Sequence, residues 1–97
     1  MTTTKERMMA TINTQASLDA YIKEYGRVFE GLTIFGDKLV FPSECKFGDE
    51  CKFGNRCEFG FGCEFGRRCD FGFRCKFRDR CKFGFRCEFG WGCEHNF

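Results

Sequence analysis

CKFGDECKFGNRCEFGFGCEFG, residues 45–66, repeats every six positions. Cys falls at 45, 51, 57, 63, 69, 75, 81, 87 and 93, without a slip. Phe stands two places after each of the first eight, from Phe47 to Phe89, and His95 takes that place after the ninth. Gly follows Phe in seven of those eight hexads, with Arg78 the exception. Upstream, Phe41, Phe35 and Phe29 keep the Phe phase while Leu39 and Thr33 occupy the Cys phase. The unit F-G-x-x-C-x therefore runs for eleven hexads, from about Phe29 to Glu94. Because Leu and Thr stand in for Cys, that position asks for a small or apolar inward side chain rather than for a thiol.

Six is even, so Cys and Phe, two apart, point to one side of an extended segment and the residue between them points to the other. That middle residue is always charged: Lys46, Lys52, Glu58, Glu64, Asp70, Lys76, Lys82, Glu88 or Glu94. Gly then opens a corner, where a crowded or left-handed backbone is easiest without a Cβ. Each hexad reads as one short strand and one corner. A helix is ruled out, because a period of six gives no stripe at 3.6 residues per turn and Gly recurs throughout.

The expected fold is an all-β solenoid, a triangular parallel β-helix of about 18 residues per coil. Charge supports that length. At an offset of 18, Lys46 faces Glu64 and Glu64 faces Lys82, Glu58 faces Lys76 and Lys76 faces Glu94, and Lys52 faces Asp70; only Asp70 against Glu88 repels, so five of six pairs attract. An offset of 12 scores six of seven, which keeps a flatter two-sided coil as the alternative. Two Phe per layer would wedge such a thin coil apart, whereas a triangle holds three Phe and three Cys per layer.

Residues 1–28 divide from the solenoid, 29–97. Residues 1–13 read as disordered. Residues 18–25, LDAYIKEY, place Leu18, Tyr21, Ile22 and Tyr25 on one helical face, with Ser17 as N-cap and Gly26 just past the end. This helix is expected to cover the N-terminal end of the stack, whose unpaired strand edges would otherwise invite association. At the other end only His95-Asn96-Phe97 is available as a plug, and an open end there would suit a homodimer.

The Phe-Gly pairs with Cys two places earlier (Cys45 with Phe47-Gly48, Cys51 with Phe53-Gly54, and their successors) resemble the hexapeptide repeat of left-handed parallel β-helices. The resemblance covers about two thirds of the chain, with Phe where that family has an aliphatic residue. It implies the triangular coil. The family includes acyltransferases and carbonic anhydrases, but the first would require a catalytic His within the solenoid and the second three metal-binding His; this chain has His95 alone. A 12-residue coil would instead resemble the Cys-rich insect antifreeze solenoids. CKFGDEC, residues 45–51, also resembles part of a CCCH zinc finger, which leaves a structural zinc-binding Cys-repeat protein as a further alternative. The chain has no CxxC pair, so the expectation is that Cys acts as a small buried hydrophobe, with no metal and no cofactor.

No nucleophile–base pair or phosphate-binding Gly loop is present, and no enzyme is expected. No apolar run approaches a membrane span. The N-terminus lacks a long apolar segment before a cleavage-like site, which predicts a cytoplasmic chain with reduced thiols. Net charge is only +2, but it is uneven. Residues 65–87 hold Arg67, Arg68, Arg74, Lys76, Arg78, Arg80, Lys82 and Arg86 against Asp70 and Asp79, a local +6. Residues 44–64 hold Lys46, Lys52 and Arg56 against Glu44, Asp49, Glu50, Glu58 and Glu64, a local −2. Phe61, Phe73, Phe85 and Trp91 fall at corner positions beside the Arg residues. Arg beside exposed aromatics is the composition of binding hot spots.

Arg67, Arg68, Phe73, Arg74, Arg78, Arg80, Phe85, Arg86 and Trp91 are thus the candidate partner-binding residues. The expected partner is the acidic surface of a host protein or nucleoprotein complex, with no membrane involved. By analogy alone, small non-catalytic chains of this kind include phage and mobile-element inhibitors of host defence, anti-CRISPR proteins among them. Such a chain would act in the cytoplasm of a bacterial host. The alternative is a nucleic-acid-binding protein using Arg on phosphates and aromatics on bases, against which stand the nearly balanced total charge and interspersed acids.

Overall fold

A computed structural model describes residues 11–29 and 34–95. Helix α1 spans Gln15–Tyr25 and is followed by twelve two-residue strands among the described residues: β1 Val28–Phe29, β2 Ile34–Phe35, β3 Val40–Phe41, β4 Lys46–Phe47, β5 Lys52–Phe53, β6 Glu58–Phe59, β7 Glu64–Phe65, β8 Asp70–Phe71, β9 Lys76–Phe77, β10 Lys82–Phe83, β11 Glu88–Phe89 and β12 Glu94–His95. They form three parallel sheets, ordered β1-β4-β7-β10, β2-β5-β8-β11 and β3-β6-β9-β12. Each strand pairs with the one 18 residues on, as Val28 with Lys46 and Phe29 with Phe47. The 18-residue coil is therefore the observed one, and the 12-residue alternative is corrected. Twelve residues would set Lys46 opposite Glu58 on the same side, whereas here Lys46 faces Glu64, Glu58 faces Lys76 and Lys52 faces Asp70. The one repelling rung, Asp70 on Glu88, is also present.

The core explains why three Phe fit in each layer. Within a sheet, successive rings stack nearly parallel at 4.8–5.0 Å between centroids, as for Phe35–Phe53, Phe53–Phe71 and Phe65–Phe83. That spacing is the strand spacing itself, so the backbone ladder sets the ring ladder. Between sheets the rings meet edge to face, at 4.9 Å and 89° for Phe71–Phe77 and 5.1 Å and 86° for Phe59–Phe65. Offset stacking and edge-to-face contact are the two arrangements the ring quadrupole favours, and every interior Phe makes both.

Cys lies under the corners. From Cys57 on, each thiol is close to a corner carbonyl of the coil below: Cys57 Sγ donates to Gly36 O at 3.3 Å, Cys75 to Gly54 O at 3.4 Å and Cys93 to Gly72 O at 3.3 Å, whereas Cys45 and Cys51 donate to Pro42 O and Gly48 O of their own coil. The nine Cys form no disulfide and stand in three columns: 45-63-81, 51-69-87 and 57-75-93. Neighbouring thiols in a column shift one another's acidity. In the second column the hydrogen bond that raises the Cys51 thiol lowers that of Cys69 to about 7. Burial raises Cys87 and Cys93.

From Gly54 on, the Gly after each Phe sits on the corner beneath it. A Cβ at Gly60 would lie 2.6 Å from Ser43 N, so a side chain there forces backbone apart. Where the repeat places Arg78 instead, the rung to the coil below lengthens: Arg78 N to Phe59 O is 3.2 Å, against 3.0 Å for Gly60 N to Phe41 O and Gly84 N to Phe65 O.

The N-terminal end is closed by a different device on each sheet. Tyr21 stacks on Phe29 at 5.0 Å and its hydroxyl donates to Val28 O. Ile12, buried, forms a parallel bridge to Phe35, with Ile12 N donating to Ile34 O and Gly36 N to Ile12 O. The Gln15 side chain mimics a peptide group: its amide donates to Val40 O at 2.9 Å and its carbonyl accepts from Val40 N at 2.8 Å. Two expectations are corrected here. The helix begins at Gln15, and Thr14 is the N-cap, its side chain accepting from Ser17 N. Residues 11–13 are ordered by the bridge at Ile12, while residues 1–10 lie outside the described part. Gly26 closes the helix as expected, with φ 86° and its N–H on Ile22 O. At the other end the His95 backbone joins β12, and Asn96 and Phe97 lie outside the described residues.

Candidate functional site

Three columns of corner pairs run up the stack. Corner I, between the first and second sheets, stacks Asp49-Glu50, Arg67-Arg68 and Phe85-Arg86. Corner II, between the second and third, stacks Asp37-Lys38, Asn55-Arg56, Phe73-Arg74 and Trp91-Gly92. Corner III, between the third and first, stacks Ser43-Glu44, Phe61-Gly62 and Asp79-Arg80.

The second residue of each pair is in the left-handed region. Eight of these are not Gly: Lys38, Glu44, Glu50, Arg56, Arg68, Arg74, Arg80 and Arg86, with φ from 57° to 65°. Gly62 and Gly92 occupy the same position with φ 72° and 76°. The conformation is held by a hydrogen bond to the next coil, as from Arg56 N to Phe73 O and Arg74 N to Trp91 O. For an L-residue it costs roughly 1–2 kcal/mol. Long charged side chains therefore occupy positions where Gly would be less strained, which points to a use for them beyond stability. Arg56→Gly is expected to stabilise the chain by about 0.5–1 kcal/mol, the strain relieved less the added freedom of the unfolded chain. A lower chemical-denaturation midpoint than that of the unaltered chain would contradict this.

The nine candidate residues do not form one patch. Arg67, Arg68, Phe85 and Arg86 lie at corner I; Phe73, Arg74 and Trp91 at corner II; Arg80 at corner III, with Arg78 entering it. Corners I and III flank the first sheet, on which Lys82 points outward. One side of the last two coils therefore gathers Arg67, Arg68, Arg78, Arg80, Lys82 and Arg86. Corner II stands apart.

On that side lie two shallow grooves. One, of about 660 Å³, is lined by Asp49, Glu50, Arg67, Arg68, Phe85 and Arg86. The other, of about 310 Å³, is lined by Phe61, Arg78, Asp79 and Arg80. Asp49 holds the first groove in shape. One carboxylate oxygen accepts from Arg67 N at 2.8 Å and the other pairs with the Arg67 guanidinium at 3.3 Å. Those backbone and side-chain hydrogen bonds keep the Asp49 carboxyl below its ordinary range. Glu50 is 3.9 Å from Arg68, an exposed and weak pair. Arg86 has no acidic partner at such a distance among the described residues. Phe85 is 79% exposed.

At corner II the lower rungs use an amide ladder: Asp37 Oδ1 accepts from Asn55 N at 2.8 Å, and Asn55 Oδ1 from Phe73 N at 3.0 Å. Above them Phe73 stacks on Trp91 at 5.0 Å and 3°, and the Arg74 guanidinium lies 5.0 Å from the Trp91 ring centre. The sequence reading placed these rings outward. Phe61, Phe85 and Trp91 are exposed, but Phe73 is half-buried beneath Trp91. The roles of Lys38 and Arg56 at corner II were not foreseen from the sequence. Their signal was there, since both stand 18-residue multiples before Gly92 and in phase with Arg74.

Among the described residues no three His, Cys, Asp or Glu converge as a metal site, and no helix is long and apolar enough to cross a membrane. Comparison with protein-family models, curated proteins and solved structures finds no match to this chain, so its functional reading rests on its own geometry.

Proposed function

We propose that the chain is a non-catalytic binding module that recognises an acidic protein surface with the side formed by the first sheet and its two flanking corners. The observation that carries this reading is the corner I groove. An exposed Phe85 stands there beside Arg67, Arg68 and Arg86, on a scaffold that fixes their spacing. Arg and aromatic side chains supply most hot-spot energy in interfaces, and rigid presentation lowers the ordering cost of association. Such a module acts by occupying its partner, as a stoichiometric inhibitor of a host defence complex does. The likeness to left-handed hexapeptide-repeat β-helices belongs to the same reading, supported by the three sheets and the 18-residue coil.

The test is affinity capture from the organism of origin with the unaltered chain, Phe85→Ala and Arg86→Glu. A discrete partner should be retained by the first and weakened in each variant by about 2 kcal/mol, roughly 30-fold in affinity, with unfolding midpoints unchanged. Equal retention by all three chains would discard this surface.

A further inference from the structure

We infer that corner II is a second, separate site, which binds a short segment of single-stranded nucleic acid. Two independent features meet on that edge. The first is a column of cations. Lys38, Arg56 and Arg74, each the second residue of its pair, stand on successive coils, about 4.8 Å apart, and the one acid at this corner is Asp37, beside Lys38. Among the described residues none of them has an acidic partner within ion-pair distance, unlike Arg67 and Arg68 at corner I. Like charges in register repel, and each of the three is also in the left-handed conformation. Neither cost serves the fold, since Gly92 shows what the position accepts without them.

The second feature is an aromatic platform at the end of that column. Phe73 and Trp91 are stacked, and Trp91 is 66% exposed. Gly92 leaves the space through which Arg74 rises to the indole: a Cβ at that position would lie 3.1 Å from Arg74 Cγ. The cation row ends against a π-face, with Arg74 belonging to both.

A row of cations leading to an exposed stacking surface matches the chemistry of a single strand, whose phosphates follow the positive edge while an unpaired base lies on an aromatic ring. Three coils and the platform span about 14 Å, room for two or three nucleotides. A duplex fits poorly, because its bases are already stacked within it and offer no face to Trp91. Of the interspersed acids that weigh against nucleic-acid binding in the linear sequence, only Asp37 falls at corner II, on its lowest described rung and with Oδ1 accepting from Asn55 N, so the objection is much weaker there. This site lies apart from the protein-binding side proposed above and does not depend on it.

Trp91 is the only tryptophan, so its fluorescence reports on this site alone. An eight-residue oligothymidylate titrated into the full chain under reducing conditions should quench it saturably, with an affinity that falls as salt is raised. Heparin, a polyanion without bases, should compete for binding without quenching. With labelled oligonucleotide, Trp91→Ala and Arg56→Glu should each weaken binding about 10-fold, Trp91→Phe should stay within about 3-fold, and Arg86→Glu within about 2-fold. Absence of quenching, equal quenching by heparin, equal binding of a duplex of the same length, or unchanged affinity in Trp91→Ala would overturn the proposal. Loss of protein capture in Arg86→Glu with oligonucleotide binding intact would show that the two sites are separate.

Discussion

Phe59→Ala should unfold the solenoid well below the midpoint of the unaltered chain, with a loss of about 3–5 kcal/mol, the upper range for aromatic truncation in a core. Phe59 is 1% exposed and central in the stack. It stacks on Phe41 at 4.8 Å and on Phe77 at 4.9 Å, and meets Phe53 and Phe65 edge to face at 5.1 Å each. Removing the ring cuts its column at mid-height and leaves the edges of two neighbours without a face. Collapse cannot fill the void cheaply, because the strand ladder holds the layers at their spacing. Phe83→Ala, nearer the C-terminal end and only half-buried, should cost clearly less. Urea denaturation of the two variants measures the difference. Equal losses would mean that the ring lattice is not what holds the coils together.

The same lattice explains which features the sequence displays and which it hides. Inward Phe and Cys were readable because an even period fixes the side on which a residue points, and that holds for any number of residues per coil. Coil length was only half readable: charge left offsets of 12 and 18 both open, and the room that the Phe rings need in each layer is what favoured 18. The grouping of the nine Arg and aromatic residues was not evident from counting charge along the chain. Consecutive hexads face different sides, so a basic run such as 74–86 is spread over all three corners. Only position within the coil sorts Arg74 with Arg56 and Lys38, and Arg86 with Arg68. Ile12 and Gln15 were hidden for another reason. They lie outside the repeat, and their partners, Phe35 and Val40, are over twenty residues away. Nothing local marks an isoleucine that will act as a strand or a glutamine that will act as a peptide group.

Those two residues matter because they close the N-terminal edge, and the second large effect is expected there. Leu18 is fully buried and Tyr21 is stacked on Phe29, so together they fix α1 to the first coil. Leu18→Ala with Tyr21→Ala should detach the helix, since each truncation costs about 2–5 kcal/mol at a site that holds it by one face. Detachment also removes the Gln15 clasp on Val40 and loosens the bridge at Ile12, so all three sheets lose their covers at once. The exposed edge would then present the rings of Phe29, Phe35 and Phe41 beside unpaired backbone groups, a surface that pairs readily with another chain. The expected result is loss of helical circular dichroism and concentration-dependent association by light scattering, while the strand signal persists. Gln15→Ala alone, which removes two hydrogen bonds but no ring, should lower stability by about 1–2 kcal/mol without association. A double variant that stays monomeric with its helix signal intact would show that the solenoid end needs no cover. The three capping contacts would then be consequences of the fold and not its guard.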